Sequence, residues 1–303
     1  MDRENPILIV GDIITDIDYK IVNKKPSPED DSSWCFINPE IIRTTPGGAG
    51  HVANNVNNTG NITLLAGISS RVDDFHSDIV LIGMDNSQPT CTKNRYFENY
   101  DLLFRIDEDS PEQEYLDYSS TLSNRLDVYT GFVGTVIISD YGKGTINTEV
   151  LDTLFADISK VNLCIVDPKE KMFDHYASPN VVLKPNAREA LALSGANTPG
   201  SAAKRLRDNY GCRVVVTCGA DGFWIADEDG IHYHDAIPLV PVSVVGAGDT
   251  AAAVLAAALH RNITLLDAVD ICAKCCASVI AQPGTTPISK EFWQELMQTY
   301  EVN

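Results

Sequence analysis

No apolar run in the sequence approaches the roughly 18 residues needed to cross a bilayer. The first apolar run, Ile7–Val10, is four residues long and comes after a charged start, so no signal peptide is expected and the reading is cytoplasmic. Cationic side chains are scarce too: Lys and Arg total 23 against 42 Asp and Glu, a net charge of −19. Such a surface repels phosphate backbones and anionic lipids, which excludes nucleic acid and membranes as expected partners. The eight cysteines form no secreted framework. Cys272-x-x-Cys275 has no second pair and no nearby His, so its thiols read as small buried helix residues and not as a zinc or redox site. The sequence also lacks a Gly-x-x-x-x-Gly-Lys-Ser/Thr loop, the combination of a His-Arg-Asp loop with Asp-Phe-Gly, internal repeats and low-complexity linkers.

What is present is a chain of 303 residues, 44% of them apolar, long enough to bury a large core without staples. Short β-branched runs alternate with helical stretches. Strands are expected at Ile7–Val10, Ile62–Ala66, Val133–Ser139, Leu163–Val166, Val181–Leu183 and Arg213–Thr217, with two more near Phe223–Ala226 and Ile231–His234. Helices are expected over 47–58, 112–128, 146–158, 187–193, 202–208, 248–260, 265–280 and 289–300. Continuous apolar strands alternating with helices predict an α/β fold with a mainly parallel sheet covered on both faces. Residues 16–45, broken by Pro26, Pro28 and Pro39, and the half-exposed stretch 90–107 predict a small β-stranded appendage. The stretch from Ile68 to Gln88 is assigned no element.

In such a sheet ligands bind beyond the carboxyl ends of the strands, which directs attention to the residues just past each strand. Val245-Gly246-Ala247-Gly248-Asp249-Thr250 runs straight into an Ala-rich helix. Glycines at a helix start turn successive N–H groups into one space, a cradle for an anion. A carboxylate inside that cradle is a poor anion binder but a suitable base beside a transferring phosphoryl group, a reading preferred over a simple helix cap. Pro46-Gly47-Gly48-Ala49-Gly50-His51 superficially matches a dinucleotide fingerprint, but no clean first strand precedes it; the glycines instead let a sugar approach the backbone. Thr217-Cys218-Gly219-Ala220-Asp221-Gly222 reads equally as a nucleotide phosphate loop or a hairpin turn. Asn186 and Glu189, three apart at a helix start, suit either a hydrated magnesium ion or a capping box. Asp12, Asp16, Asp140, Lys143, Asp167 and Lys169 all stand just past strand ends.

Together these stretches resemble the PfkB, or ribokinase-like, carbohydrate kinases. Gly246-Ala247-Gly248-Asp249-Thr250 resembles the family's C-terminal signature and Pro46-Gly47-Gly48 its N-terminal one; Pro185-Asn186-x-x-Glu189 and Thr217-x-Gly219-x-x-Gly222 fall in the family order. Within the family the chain is most similar to the kinase half of bifunctional heptose 7-phosphate kinase/heptose 1-phosphate adenylyltransferases. That similarity rests on Gly11-Asp12-x-x-x-Asp16, Ser27-Pro28-Glu29, Pro89-Thr90-x-Thr92-Lys93-x-Arg95, Arg105-x-Asp107, Ser139-Asp140-Tyr141-x-Lys143-Gly144, Asp167-Pro168-Lys169 and Gly284-Thr285. No His-x-Gly-His occurs, so a stand-alone kinase is expected.

The resemblance implies one ribokinase-like domain over 1–303 with lid strands from 16–45 and 90–107. It implies ATP and Mg²⁺, with phosphoryl transfer to the anomeric hydroxyl of D-glycero-D-manno-heptose 7-phosphate, or to a ribose-, fructose- or nucleoside-like acceptor; the alternative of another class is a catalytically weak sugar- or nucleotide-sensing protein that keeps the fold. Asp249 would be the base, and Gly246, Ala247 and Gly248 would offer N–H groups to the moving phosphoryl. Asn186, Glu189, Lys169, Thr217, Gly219 and Gly222 would serve ATP, Glu189 reaching Mg²⁺ through water. Asp12, Asp16, Gly47, Gly48 and His51 (where the family signature has Asn) would hold the sugar, with Lys93, Arg95 and Arg105 on its distal phosphate. A homodimer through the lid is the expected assembly.

Overall fold

The computed structural model describes residues 5–300 apart from 31, 72–74, 100, 157–160 and 170. Its centre is a nine-stranded sheet. Strand β1 (Ile7–Gly11) is an inner strand, because Ile7, Leu8, Ile9 and Val10 are all apolar and a strand with no polar face must be covered on both sides. On one side of β1 the large sheet continues through β6 (Thr63–Ala66) and β7 (Ile79–Ile82), the strands between β1 and β6 in sequence belonging to smaller sheets. To the other side lie β10 (Thr135–Ser139), β11 (Leu163–Asp167), β12 (Val181–Leu183) and β13 (Arg213–Thr217). All these pairings are parallel. β14 (Phe223–Asp227) and β15 (Gly230–His234) close that edge with antiparallel pairings.

The period of two along each strand sorts the core into two layers. Ile7 and Ile9 face a cluster built on helices α1 (Ala49–Asn58), α6 (Ala247–His260), α7 (Leu265–Ile280) and α8 (Lys290–Tyr300). Leu8 and Val10 face the other layer, with α2 (Glu112–Thr130), α3 (Thr148–Phe155), α4 (Ala187–Ser194) and α5 (Pro199–Tyr210). Helix α6 is buried along almost its whole length; seven alanines among its fourteen residues make it thin enough to lie against the sheet under α1 and α7. Cys272 and Cys275 are buried on α7 as free thiols.

The smaller four-stranded sheet grows directly out of the large one. β1 runs through Asp12 into β2 (Ile13–Lys20), which pairs antiparallel with β5 (Glu40–Gly48) and parallel with β8 (Cys91–Glu98); β9 (Asp101–Glu108) completes the order β5-β2-β8-β9. A short hairpin of β3 (Asn23–Pro26) and β4 (Trp34–Ile37) stands beside it.

The expected strands and helices are in place, with ends that coincide or differ by at most three residues, close to the range over which helix and strand ends fray. The exception is β7, in the stretch given no element; the end of the helix expected over 146–158 lies outside the described residues. Among the described residues no helix is long and apolar enough to cross a membrane.

Candidate active site

The strand order reverses between β1 and β10: β6 and β7 continue to one side of β1, while β10 leads to the other. A crevice must open outside the carboxyl ends of these strands, because their connections leave in opposite directions. The residues next in sequence sit there. Asp12 comes after β1, Asp140 and Tyr141 after β10, and Lys184 and Asn186 after β12, while Asp167 ends β11 and Thr217 ends β13. A cavity of about 180 Å³ is lined by Asp140, Tyr141, Asp167, Lys169, Lys184, Asn186, Glu189, Thr217 and Gly248.

The start of α6 closes one wall of this cavity. Gly246 is its N-cap with φ 82° and no side chain caps the turn; the Ala247 N–H donates to Val244 O at 3.4 Å, while Gly248, whose N–H has no intrahelical acceptor, lines the cavity. The left-handed backbone at Gly246 favours glycine, and a Cβ there would stand 2.7 Å from His51 Nε2. Lys184 Nζ lies 3.9 Å from the point a Cβ on Gly248 would occupy, adding a full positive charge beside the cradle. Lys184 is itself buried and paired with Asp167 at 3.0 Å. Burial pushes the Asp167 carboxyl up, against the pull of Lys184.

Asp249 stands in the first turn of α6, 4% exposed. The hydroxyl of Tyr141 donates to its Oδ1 at 2.7 Å. Burial raises the Asp249 carboxyl to about 7; the Tyr141 hydrogen bond opposes this, Asp167 adds to it, and Lys184 and Lys93 oppose it. A carboxylate of that basicity sits near neutrality, where it can both lose and take a proton. Asp140, likewise enclosed and close to Asp12, is also raised to about 7, burial first.

The other end of the site is built from the small sheet. Asp16, Asp18, Lys93, Arg95, Arg105 and Asp107 share one face of β2, β8 and β9. Arg95 NH1 donates to Asp16 Oδ1 at 3.0 Å and lies 3.8 Å from Asp18, so its guanidinium is held by two carboxylates. Arg105, directly across from Arg95, is half-exposed and paired with Asp107 at 2.7 Å. Lys93 places its ammonium 4.5 Å from the centre of the Tyr141 ring, and burial lowers its pKa. Thr285 Oγ1 donates to Asp16 Oδ2 at 3.3 Å. Gly47 passes so close to Asp16 that a Cβ would lie 2.5 Å from Oδ2.

Asp12 is fully buried and takes three backbone donors from the loop after β10: Tyr141 N at 2.8 Å and Lys143 N at 3.1 Å on Oδ2, Thr145 N at 3.0 Å on Oδ1. Most of its acceptor capacity is spent on holding that loop. His51, 1% exposed, has its Nε2 without a hydrogen-bond partner and directed at Gly246. Burial lowers its imidazole to about 4, so it is neutral. Asn186 and Glu189 form the reciprocal capping box of α4, Oδ1 taking Glu189 N and Oε2 taking Asn186 N, each at 3.0 Å. Glu189 Oε1 remains, 3.4 Å from Lys169 Nζ. Gly219 and Gly222 occupy the turn between β13 and β14, beyond the residues that line the cavity.

Sequence reasoning gave no role to Lys184, Tyr141 or Thr285. For Lys184 a signal existed: a lysine ending an all-apolar strand immediately before Pro185-Asn186. Tyr141 and Thr285 lie in stretches that carry the resemblance, but the partners they meet, Asp249 and Asp16, are set by tertiary packing.

A parallel sheet with polar strand ends, an uncapped glycine-rich helix start and a small sheet facing both defines the ribokinase-like class of α/β kinases. The chain matches phosphofructokinase-2 from Escherichia coli, solved with substrates and products, at a TM-score of 0.72 and 18% identity over 98% of this chain and 99% of that one. It matches the ribokinase of Arabidopsis thaliana, solved with ribose and ATP, at 0.67 and 18% over 97% and 99%. These likenesses establish the fold. The profile described as pfkB family carbohydrate kinase matches residues 130–291, more than half of the chain, and the chain belongs to that family of ATP-dependent sugar kinases. Among curated relatives are the proteins named Bifunctional protein HldE of Methylobacillus flagellatus, 28% identical over 96% of this chain and 63% of the relative, and of Gluconobacter oxydans, 30% identical over 98% and 65%. The chain thus spans less than two thirds of the length of these relatives.

Proposed function

We propose that this kinase transfers the γ-phosphoryl group of ATP to the anomeric hydroxyl of a heptose 7-phosphate, with Asp249 as the base. The observation that carries the reading is the seat of Asp249: a buried carboxylate raised to about 7, in the first turn of an uncapped helix, next to Gly248 and hydrogen-bonded to Tyr141, both of which line the cavity. The acceptor hydroxyl gives its proton to Asp249 as its oxygen attacks the phosphoryl group and ADP leaves. N–H groups of Gly246–Gly248 and the Lys184 ammonium face the charge that develops on the phosphoryl oxygens. Asn186, Glu189, Lys169, Thr217, Gly219 and Gly222 serve the nucleotide side.

The donor set suits a hydrated magnesium ion, which takes few protein ligands: Glu189 has one oxygen outside the capping box, shared with Lys169 at 3.4 Å. Glu189 would hold it through water, with Asn186 beside it. Such an ion supplies neutralisation of triphosphate charge.

Asp16, Gly47, Gly48 and His51 form the sugar side, and Asp12 serves it by fixing the 141–145 loop. The distal phosphate falls to Lys93 and Arg105, with Arg95 as part of the charged network behind them. The small sheet acts as a lid that excludes water. Names of the HldE relatives, together with this cationic group on the lid, favour a phosphorylated sugar over ribose or fructose. A panel of sugars and sugar phosphates in an ADP-release assay tests this: heptose 7-phosphate should give the highest kcat/KM, and preference for an unphosphorylated sugar would defeat the assignment.

A further inference from the structure

Tyr141 stands at the junction of the two halves of the site. Its backbone N–H donates to Asp12 Oδ2 at 2.8 Å, which fixes the start of the 141–145 loop to the end of β1. Its ring carries the Lys93 ammonium 4.5 Å from the centroid, and it passes close to Gly48, where a Cβ would lie 3.4 Å from Cε2. Its hydroxyl ends on Asp249 Oδ1 at 2.7 Å, and the side chain lines the cavity. Three anchors of different chemistry, a backbone hydrogen bond, a cation over the ring and a glycine against its edge, therefore fix where the phenol oxygen lies. A side chain held at both ends restricts the rotamer of whatever carboxylate it bonds.

We propose that Tyr141 is a positioning residue: its O–H holds Asp249 by Oδ1 so that Oδ2 is presented to the acceptor alcohol. The inference rests on the reading of Asp249 as base. It also gives Tyr141 a second effect. Asp249 is faced by Tyr141 from the loop after β10, by Asp167 from the end of β11, by Lys184 from the end of β12 and by Lys93 from β8. Burial and Asp167 disfavour the ionised carboxylate; Lys184, Lys93 and the Tyr141 hydrogen bond favour it. Both cations already have other duties, Lys184 on Asp167 and Lys93 over the ring, whereas the phenol bonds the carboxylate directly. The donor that orients the base also lowers its pKa, which enlarges the ionised fraction at neutral pH.

The test is the pH dependence of kcat/KM for the sugar acceptor, which reports groups of the free enzyme. With Asp249 at about 7, the parent should lose activity below neutrality. Tyr141→Phe keeps the ring, the stacked ammonium and the backbone bond but deletes the donor. Its acid limb should move upward by about one pH unit, kcat/KM at pH 7 should fall about tenfold or more, and KM for ATP should stay unchanged. Ionisations of ATP and of the sugar phosphate are common to both proteins and cancel in the difference. Site-specific 3-fluorotyrosine at position 141, a more acidic phenol of nearly the same shape, should move the limb the opposite way; it serves if the Phe variant fails to fold. An unmoved limb, with either unchanged rates or a change confined to KM for the sugar, overturns the proposal. Retained turnover in Asp249→Asn would instead remove the base beneath it, so the two failures are distinguishable.

Discussion

A carboxylate enclosed as Asp249 is carries a cost in the folded state. Its pKa rises from an ordinary 3.8 to about 7 on folding, chiefly through burial. The folded protein therefore binds more protons than the unfolded chain across that window, and stability contributed by the group, complete below about pH 3.8, is lost as pH rises through 7. Asp249→Asn should accordingly raise Tm at pH 8, by an amount worth at most about 4 kcal/mol, and the gain should vanish near pH 4. A variant equally or less stable at pH 8 would show that Lys184 and Lys93 already neutralise the charge. Lys184 bears the opposite relation to the fold. Removing it in Lys184→Met leaves Asp167 buried without its partner, a loss of about 3 kcal/mol or more in urea unfolding, together with weaker ATP turnover. A variant as stable as the parent would mean that Asp167 escapes the cost by taking a proton.

At the scale of elements, the start of α6 concentrates several demands on one glycine. Gly246 supplies the left-handed turn, leaves the first N–H groups uncapped and makes room for His51 and Thr285. Gly246→Ala should destabilise by about 1–3 kcal/mol from backbone strain and reduce kcat more than it raises KM for ATP; normal turnover would deny the cradle a role. Much of this element was legible in the sequence, since a glycine-rich stretch against an Ala-rich run announces an uncapped helix start. The central strands were legible for a related reason: Ile7–Val10 and Val181–Leu183 have no polar residue, and only strands covered on both faces tolerate that. β7 escaped because Ile79–Ile82 is short, lies at the sheet edge with Val80 exposed, and sits between polar turns that mask its period. The twofold meaning of Asn186 and Glu189 also persisted, because a capping box and a metal-facing carboxylate use the same spacing; the structure has the box and leaves one Glu189 oxygen over. Tyr141 is the limiting case. Nothing in Asp140-Tyr141-Gly142 reveals that its hydroxyl meets a carboxylate 108 residues away.

For the whole molecule, the small sheet has two unlike faces. One carries Asp16, Lys93, Arg95 and Arg105 toward the site; on the other, Tyr19, Tyr96 and Phe104 stack at 4.6–4.7 Å, extended by Phe36 of β4. Ile41, Ile42, Leu102, Leu103 and Ile106 on its strands, with Trp34 on β4, remain exposed. An apolar group of this kind calls for a cover, and we propose that the homodimer expected through the lid would supply one. Sedimentation should find a dimer, and Ile42→Asp with Leu103→Asp should give a folded monomer of reduced kcat; a monomeric parent would remove that assembly. The chain's excess of acid does not oppose catalysis, because Lys184, Lys93 and helix N–H groups put local positive charge where phosphates are to be held. All of this depends on what Asp249 does to the acceptor alcohol. The most direct measurement is single-turnover phosphoryl transfer by Asp249→Asn beside its affinity for MgATP. With Asp249 as the base, the rate should fall by about 10²–10⁴ with nucleotide affinity intact; transfer at the parent rate would contradict that role.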